Sequence, residues 1–106
     1  MSKKIETSAI TAGRPPVTPD APLNPSIDLT STFHSGGPIG YGRYGNQTWT
    51  SLEEAISELE GGETLTFSSG MAAISAVFSI LPIGAPVVAS NQGYSGVMSL
   101  LNSFHA

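Results

Sequence analysis

The stretch ETLTFSSGMAAISAVFSIL, residues 63–81, joins a short alternating segment to an apolar run, which predicts a strand followed by a helix. Ser68, Ser69, Gly70 and Met71 lie at the junction, where the two serines offer a helix cap or hydroxyl donors. Backbone N–H groups at a helix start lack intrahelical partners and lie at the positive end of the helix dipole, so an anion such as phosphate binds well there. Gly70 has no Cβ and lets a ligand come close. The alternative is a capped turn that binds nothing.

The chain from residue 51 onward alternates between helix and strand patterns. A capping box of Thr50 and Glu53 predicts a helix over 51–60, which Gly61 ends. The remaining predicted elements are a strand at 63–67, a helix at 71–81, a strand at 86–90, and a third helix with Val97, Leu100, Leu101 and Phe104 on one face. This order is typical of an α/β fold with a mainly parallel sheet and helices on its faces.

Residues 1–50 have a different composition, which predicts an extended arm. Prolines exclude a long helix and disfavour central strands; they are Pro15, Pro16, Pro19, Pro22, Pro25 and Pro38. The arm also carries large apolar side chains, which predicts that something covers them: Ile27, Leu29, Phe33, Tyr41, Tyr44 and Trp49.

The composition excludes several classes of function. The 106 residues carry a net charge of −4 with only four Lys and Arg, so no basic surface is predicted for nucleic acid or an anionic membrane. The absence of cysteine excludes disulfides and thiolate metal sites. His34 and His105 have no second ligand at metal spacing, so we predict no metal site. The N-terminus does not match a secretory signal, and we expect a cytoplasmic protein.

Two features predict that the chain is the N-terminal piece of a larger α/β protein. The helix at 71–81 is apolar nearly all round, so it needs cover on more than one side and is predicted to be buried. The sequence also stops at residues 104–106 inside a helical pattern, without a glycine cap or a polar tail.

Four motifs together form a recognisable series. They are YGRYGNQT at 41–48, LEGG at 59–62, SSGMAA at 68–73 and GYSG at 93–96. From about Thr7 onward this series resembles the trans-sulfuration family of pyridoxal-phosphate enzymes, which contains the cystathionine γ-synthases, cystathionine lyases, methionine γ-lyase and O-acetylhomoserine sulfhydrylases. The resemblance implies the N-terminal part of a type I, aminotransferase-like fold. It departs at Gln47, where the family usually has proline, and at Gly42, where serine is common.

The resemblance implies roles for five residues. Gly70 and Met71 give backbone N–H groups to the phosphate of pyridoxal phosphate, and Tyr94 stacks on the cofactor ring near the reacting atoms, as a catalytic and a binding residue. Tyr41 and Arg43 reach from the arm, residues 1–50, into the active site of the adjacent subunit and hold its phosphate. Residues 51–106 are then the start of the large cofactor-binding domain.

The resemblance also implies what the chain lacks. The lysine that binds the cofactor, the aspartate that pairs with the pyridine nitrogen and the arginine that binds the substrate carboxylate all lie beyond residue 106 in this family. Lys3 and Lys4 lie in the N-terminal tail and cannot replace that lysine. We therefore expect this chain to be inactive alone.

The resemblance favours an enzyme of sulfur amino-acid metabolism, acting on a small amino-acid substrate as a homo-oligomer, a dimer of dimers. Within the family we favour cystathionine γ-synthase, which replaces the γ-substituent of an activated homoserine with cysteine. A γ-lyase or a sulfhydrylase is the first alternative. A more distant alternative is a non-enzymatic phosphate-binding α/β module, although the Gly-x-Gly-x-x-Gly and Walker patterns are absent.

Overall fold

The computed structural model describes residues 4–104, which contain four helices. Lys3 and His105 lie outside the described residues, and so does the predicted placement of the Phe104 side chain on a helix face. The chain divides into two compact units, Met1–Thr66 and Phe67–Ala106. The helices are α1 Ile5–Thr11, α2 Gln47–Glu60, α3 Gly70–Ser79 and α4 Ser95–Phe104.

In the first unit, α1 packs against α2. The buried Ser8 donates a hydrogen bond from Oγ to Glu58 Oε1 at 2.7 Å. Gly13 follows α1 with a φ of +70°, and a Cβ there would collide with the carbonyl oxygen of Ser51. A glycine is therefore required for both its backbone angle and its close approach to α2. Sequence analysis predicted no helix in this segment. The short helix α1 ends at Thr11, before the first proline, Pro15, so the prolines of the arm do not interrupt it.

The start of α2 differs from its prediction. The helix begins at Gln47 and not at residue 51, because Asn46 is its N-cap and accepts a hydrogen bond from the Thr48 N–H at 2.8 Å. The predicted capping box is therefore wrong: Glu53 Oε1 instead accepts hydrogen bonds from the backbone N–H and hydroxyl of Thr66, both at 2.8 Å. The predicted end is confirmed, since Gly61 caps the helix in the left-handed conformation with a φ of 74°.

The strands predicted at 63–67 and 86–90 do not form in the described part of the chain. Alternation of polar and apolar residues shows which side of an extended segment is apolar, but a strand also needs a neighbouring backbone to pair with. The described residues supply none at these two segments. Their one bridge joins Thr32 and Tyr41 in antiparallel fashion.

In the second unit, α3 packs against α4. The prediction of a helix over 71–81 is confirmed in kind, and α3 ends two residues early because Pro82 disfavours helical backbone at the residue before it. The prediction that this helix is buried is wrong for the described residues. None of the residues of α3 is buried, and Val77 is 61% exposed.

The apolar side chains are partly covered rather than gathered into a core. Among residues 4–103 no apolar side chain is fully buried. None of the four described helices has the length and apolar character to cross a lipid bilayer. Within the same residues, no group of His, Cys, Asp or Glu side chains is placed to hold a metal ion.

Candidate functional site

The start of α3 is built by Ser69. Its backbone is extended, with φ −159° and ψ 159°, and its Oγ accepts a hydrogen bond from the Ala72 N–H at 3.1 Å. Its carbonyl oxygen accepts from the Ala73 N–H, also at 3.1 Å. The sequence-based expectation of a serine cap is confirmed. The Ser69 hydroxyl satisfies one of the four N–H groups that a helix start leaves free, that of Ala72, and the Ser69 carbonyl oxygen accepts the first ordinary bond of the helix.

Two of the three free N–H groups that remain belong to Gly70 and Met71. Among the described residues, neither N–H has a hydrogen-bond partner. Gly70 is exposed, and a Cβ built on it would meet no atom within 4 Å. Both donors named in the sequence analysis are therefore among those that the cap leaves open to an anion from outside the chain.

Tyr94 and Met71 converge on Gly96. Tyr94 directly precedes α4, is 64% exposed, and its carbonyl oxygen accepts from the Val97 N–H at 3.0 Å. A Cβ built on Gly96 would lie 2.7 Å from Tyr94 Cε1 and 2.8 Å from Met71 Sδ. These distances are too short for a real Cβ, so the tyrosine ring and the thioether occupy that space because residue 96 is glycine. The structure thus brings Tyr94 to Met71 at the start of α3.

In the first unit, Tyr41 and Arg43 form one exposed group. The Arg43 Cζ lies 5.1 Å from the centroid of the Tyr41 ring, a cation–π contact. The Tyr44 ring meets the Tyr41 ring edge to face, with centroids 6.4 Å apart. A turn fixes this arrangement, since the Tyr44 N–H donates to the Tyr41 carbonyl oxygen at 2.9 Å. The contacts place a permanent positive charge on an aromatic support at the surface.

The five predicted site residues therefore form two groups, Tyr41 and Arg43 in the first unit, and Gly70, Met71 and Tyr94 in the second. The sequence analysis gave no role to Gly96, although the motif at 93–96 contains it. Gly96 is the second residue of α4. Glycine is disfavoured in helices, so a glycine at this position is a usable signal that a neighbouring side chain occupies the space of a Cβ. His34, also given no role, is exposed.

The chain matches known proteins over nearly all its length. The model of the family described as Cys/Met metabolism PLP-dependent enzyme matches residues 6–106. A Streptomyces coelicolor protein named putative cystathionine gamma-lyase is 45% identical over 101 residues, which is 86% of this chain and 26% of that protein. The Bacillus subtilis cystathionine beta-lyase MetC is 42% identical over 71% of this chain and 21% of its own length.

A solved structure gives the same result for the fold. The crystal structure of metB from Corynebacterium glutamicum superposes with a TM-score of 0.84 at 32% identity, over 97% of this chain and 29% of that chain. The chain thus spans about a quarter of the length of the relatives that it matches. The expected fold, the N-terminal part of a type I pyridoxal-phosphate enzyme, is confirmed by this likeness.

Proposed function

Because the chain belongs to the family of pyridoxal-phosphate-dependent enzymes of Cys/Met metabolism, we propose that the complete protein is a lyase that cleaves cystathionine. One observation carries the cofactor site: the N–H groups of Gly70 and Met71 are two adjacent donors at the start of α3 that have no partner in the described chain. The names of similar proteins, cystathionine gamma-lyase and beta-lyase, support the reaction class.

The residues present fit the phosphate of the cofactor. Two adjacent N–H groups at the positive end of a helix dipole provide hydrogen bonds and charge complementarity to a phosphate. A Cβ built on Gly70 would meet no atom within 4 Å, so no described side chain crowds the backbone at this point. Ser69 has its Oγ engaged with Ala72 and so holds the helix start in shape.

Tyr94 fits the ring of the cofactor. Its aromatic face is largely exposed, and Gly96 leaves room for the ring beside Met71. A rigid aromatic group is a suitable platform for a planar heterocycle. We propose that Tyr94 stacks on the pyridine ring and that its hydroxyl holds or moves a proton near the reacting atoms. When bound, pyridoxal phosphate supplies an electron sink for negative charge that develops on the substrate.

Arg43 and Tyr41 supply a second set of phosphate donors in this proposal. A guanidinium is a planar, permanently charged fork that matches phosphate oxygens, and the Tyr41 hydroxyl adds a neutral donor. The cation–π contact at 5.1 Å limits the orientations open to the Arg43 side chain. We propose that both residues act in the active site of an adjacent subunit, in a homo-oligomer built as a dimer of dimers.

Three further groups must come from outside these 106 residues. The proposal requires a lysine that binds the cofactor, an aspartate for the pyridine nitrogen and an arginine for the substrate carboxylate. The five proposed site residues include no lysine and no aspartate, and their one arginine, Arg43, is assigned to the phosphate in this proposal. We therefore propose that this chain contributes the phosphate site and the stacking tyrosine to a larger catalytic centre.

The sequence analysis favoured cystathionine γ-synthase, whereas the names of the relatives favour cleavage of cystathionine. Breakage of the Cγ–S bond by a γ-lyase releases cysteine, and breakage of the Cβ–S bond by a β-lyase releases homocysteine. A γ-synthase instead forms a Cγ–S bond from cysteine and an acylated homoserine. We favour the γ-lyase, because the relative that is 45% identical is named a putative cystathionine gamma-lyase.

The test is a product analysis with the complete, cofactor-loaded enzyme. Cystathionine is supplied alone in one reaction, and O-acylated homoserine with cysteine in another, and products are separated and identified by mass spectrometry. We expect cysteine, 2-oxobutanoate and ammonia from cystathionine. Homocysteine and pyruvate would assign the β-lyase reaction, and net synthesis of cystathionine without its cleavage would assign the γ-synthase. An enzyme that holds the cofactor and does not cleave cystathionine would contradict the proposal.

A further inference from the structure

Residues 28–46 form a loop whose ends are joined by side chains at the start of α2. Asn46 Nδ2 donates to the carbonyl oxygen of Asp28 at 3.1 Å, and the Asp28 N–H donates to Thr48 Oγ1 at 2.8 Å. The N–H and the carbonyl oxygen of Asp28 are therefore both hydrogen-bonded to side chains at the start of α2. Asn46 is only 5% exposed, and its Oδ1 accepts from the Thr48 N–H at 2.8 Å. We call these three residues the loop clamp.

Backbone contacts within the loop connect the loop clamp to Tyr41 and Arg43. Thr32 and Tyr41 form the antiparallel bridge in the middle of the loop. The Gly42 N–H donates to the Ser31 carbonyl oxygen at 2.7 Å, and Gly42 is buried against residues 30 and 31. Arg43 lies in the turn directly after this bridge, three residues before Asn46. The backbone that carries Arg43 is thus fastened on both sides.

We propose that Asn46 is a positioning residue that acts through this loop and holds Arg43 and Tyr41 in the geometry that binds the cofactor phosphate. The inference rests on the proposed function of Arg43. The Oδ1 and Nδ2 atoms of Asn46 both bond within the chain and the residue is buried, so the proposed effect on a ligand passes through the loop. A fixed loop presents the guanidinium without the entropy cost of ordering the backbone on binding.

Asn46 has two roles, and substitution by serine removes only one of them. As N-cap, its Oδ1 satisfies the Thr48 N–H, and a serine hydroxyl performs this task about as well. As part of the clamp, its Nδ2 reaches Asp28, and serine is too short to keep both bonds. Asn46→Ser therefore preserves the helix cap and releases the loop. Thr48→Val is a second variant, because it removes the hydroxyl that accepts from Asp28 and keeps the side-chain shape.

The experiment is a double-mutant cycle on the affinity of the complete apoenzyme for pyridoxal phosphate, measured by absorbance titration. Four proteins are compared: wild type, Asn46→Ser, Arg43→Ala and the double variant. We expect Arg43→Ala to weaken binding about 10- to 150-fold and Asn46→Ser about fivefold. In the Arg43→Ala background, we expect Asn46→Ser to change affinity less than twofold, because the group that it positions is gone. Gln47→Ala, which breaks a bond to Ser51 within α2, is the matched control and should change affinity less than twofold.

The outcomes separate this inference from the proposed function. If Arg43→Ala weakens binding but Asn46→Ser has the same effect in both backgrounds, or none, the positioning role is overturned and the role of Arg43 stands. If Arg43→Ala leaves the affinity unchanged, the phosphate role of Arg43 fails and this inference fails with it. Should Asn46→Ser not fold, Thr48→Val takes its place in the cycle with the same expected values and the same contradicting results.

Discussion

At the scale of single residues, Gly96 is the glycine whose missing Cβ shapes the proposed cofactor site. The space that a Cβ would need there is taken by Tyr94 Cε1 and Met71 Sδ. Both atoms belong to side chains that can move, so Gly96→Ala should displace the ring and the thioether rather than unfold α4. We expect the complete enzyme to bind pyridoxal phosphate about fivefold more weakly, the loss of roughly 1 kcal/mol of aromatic contact.

The same substitution should not lower the thermal unfolding temperature, since alanine is favoured over glycine within a helix by about 1 kcal/mol. Gly62→Ala is the matched control, because a Cβ there meets no atom within 4 Å. Titration of the apoenzyme and thermal unfolding check the two effects separately. Unchanged cofactor affinity in Gly96→Ala would show that the ring of Tyr94 does not depend on this space.

Single residues were predictable where a local rule applies. Ser69 and Gly61 were identified as helix-end residues from type and position alone, and the structure confirms both. Gly96 and Asn46 received no role because their importance depends on residues distant in sequence, Met71 and Asp28. A sequence pattern gives neighbours along the chain, whereas these contacts exist only after folding.

At the scale of elements, the start of α2 makes a testable case. Gln47 is the first residue of the helix, a position where proline is favoured because its missing N–H is not needed. Asn46 before it is extended, with φ −156° and ψ 129°, which a following proline tolerates. The departure from the family's usual proline therefore falls on a helix start, and not on a flexible loop.

We expect Gln47→Pro to be more stable than Gln47→Ala by about 0.4–1 kcal/mol, because proline restricts the unfolded chain. The comparison with alanine removes the effect of losing the Gln47–Ser51 hydrogen bond, which both variants lack. Denaturant unfolding of the complete protein checks the difference. A lower free energy of unfolding for the proline variant would mean that the N–H of residue 47 or its backbone angle matters more than the helix geometry indicates.

The helices were easier to predict than the strands for a physical reason. The bonds within a helix join residues four apart, so the pattern that predicts a helix also contains its partners. A strand depends on another segment, and the residues at 63–67 and 86–90 have no pairing partner in the described chain. The start of α2 was misplaced because Thr50 and Glu53 match a capping box, while Glu53 binds Thr66 in the fold.

At the scale of the whole molecule, both units leave large apolar side chains exposed. Leu29 is 92% exposed in the first unit and Val88 is fully exposed in the second. The sequence analysis expected the apolar groups of the arm to be covered, and we propose that a neighbouring subunit covers them. The same arrangement would carry Arg43 into the neighbour's active site.

Mixing two inactive forms of the complete enzyme tests this arrangement. One form carries Arg43→Ala, and the other is altered at the lysine that binds the cofactor. If Arg43 acts in the neighbouring subunit, a mixed dimer contains one site with both groups intact, so we expect activity to return. If Arg43 and the cofactor-binding lysine act within one chain, every site of the mixed dimer lacks one of these two groups. Mixed dimers that form and remain inactive would reject the arrangement.

The central claim is that the proposed site residues bind the phosphate of pyridoxal phosphate. The most direct measurement compares the binding of two ligands. The complete apoenzyme and its Arg43→Ala variant are titrated with pyridoxal phosphate and with pyridoxal, which lacks the phosphate. We expect the variant to bind pyridoxal phosphate about 10- to 150-fold more weakly, equivalent to roughly 1.5–3 kcal/mol, and to bind pyridoxal with less than a twofold change. An equal loss for both ligands, or no loss for pyridoxal phosphate, would contradict the claim.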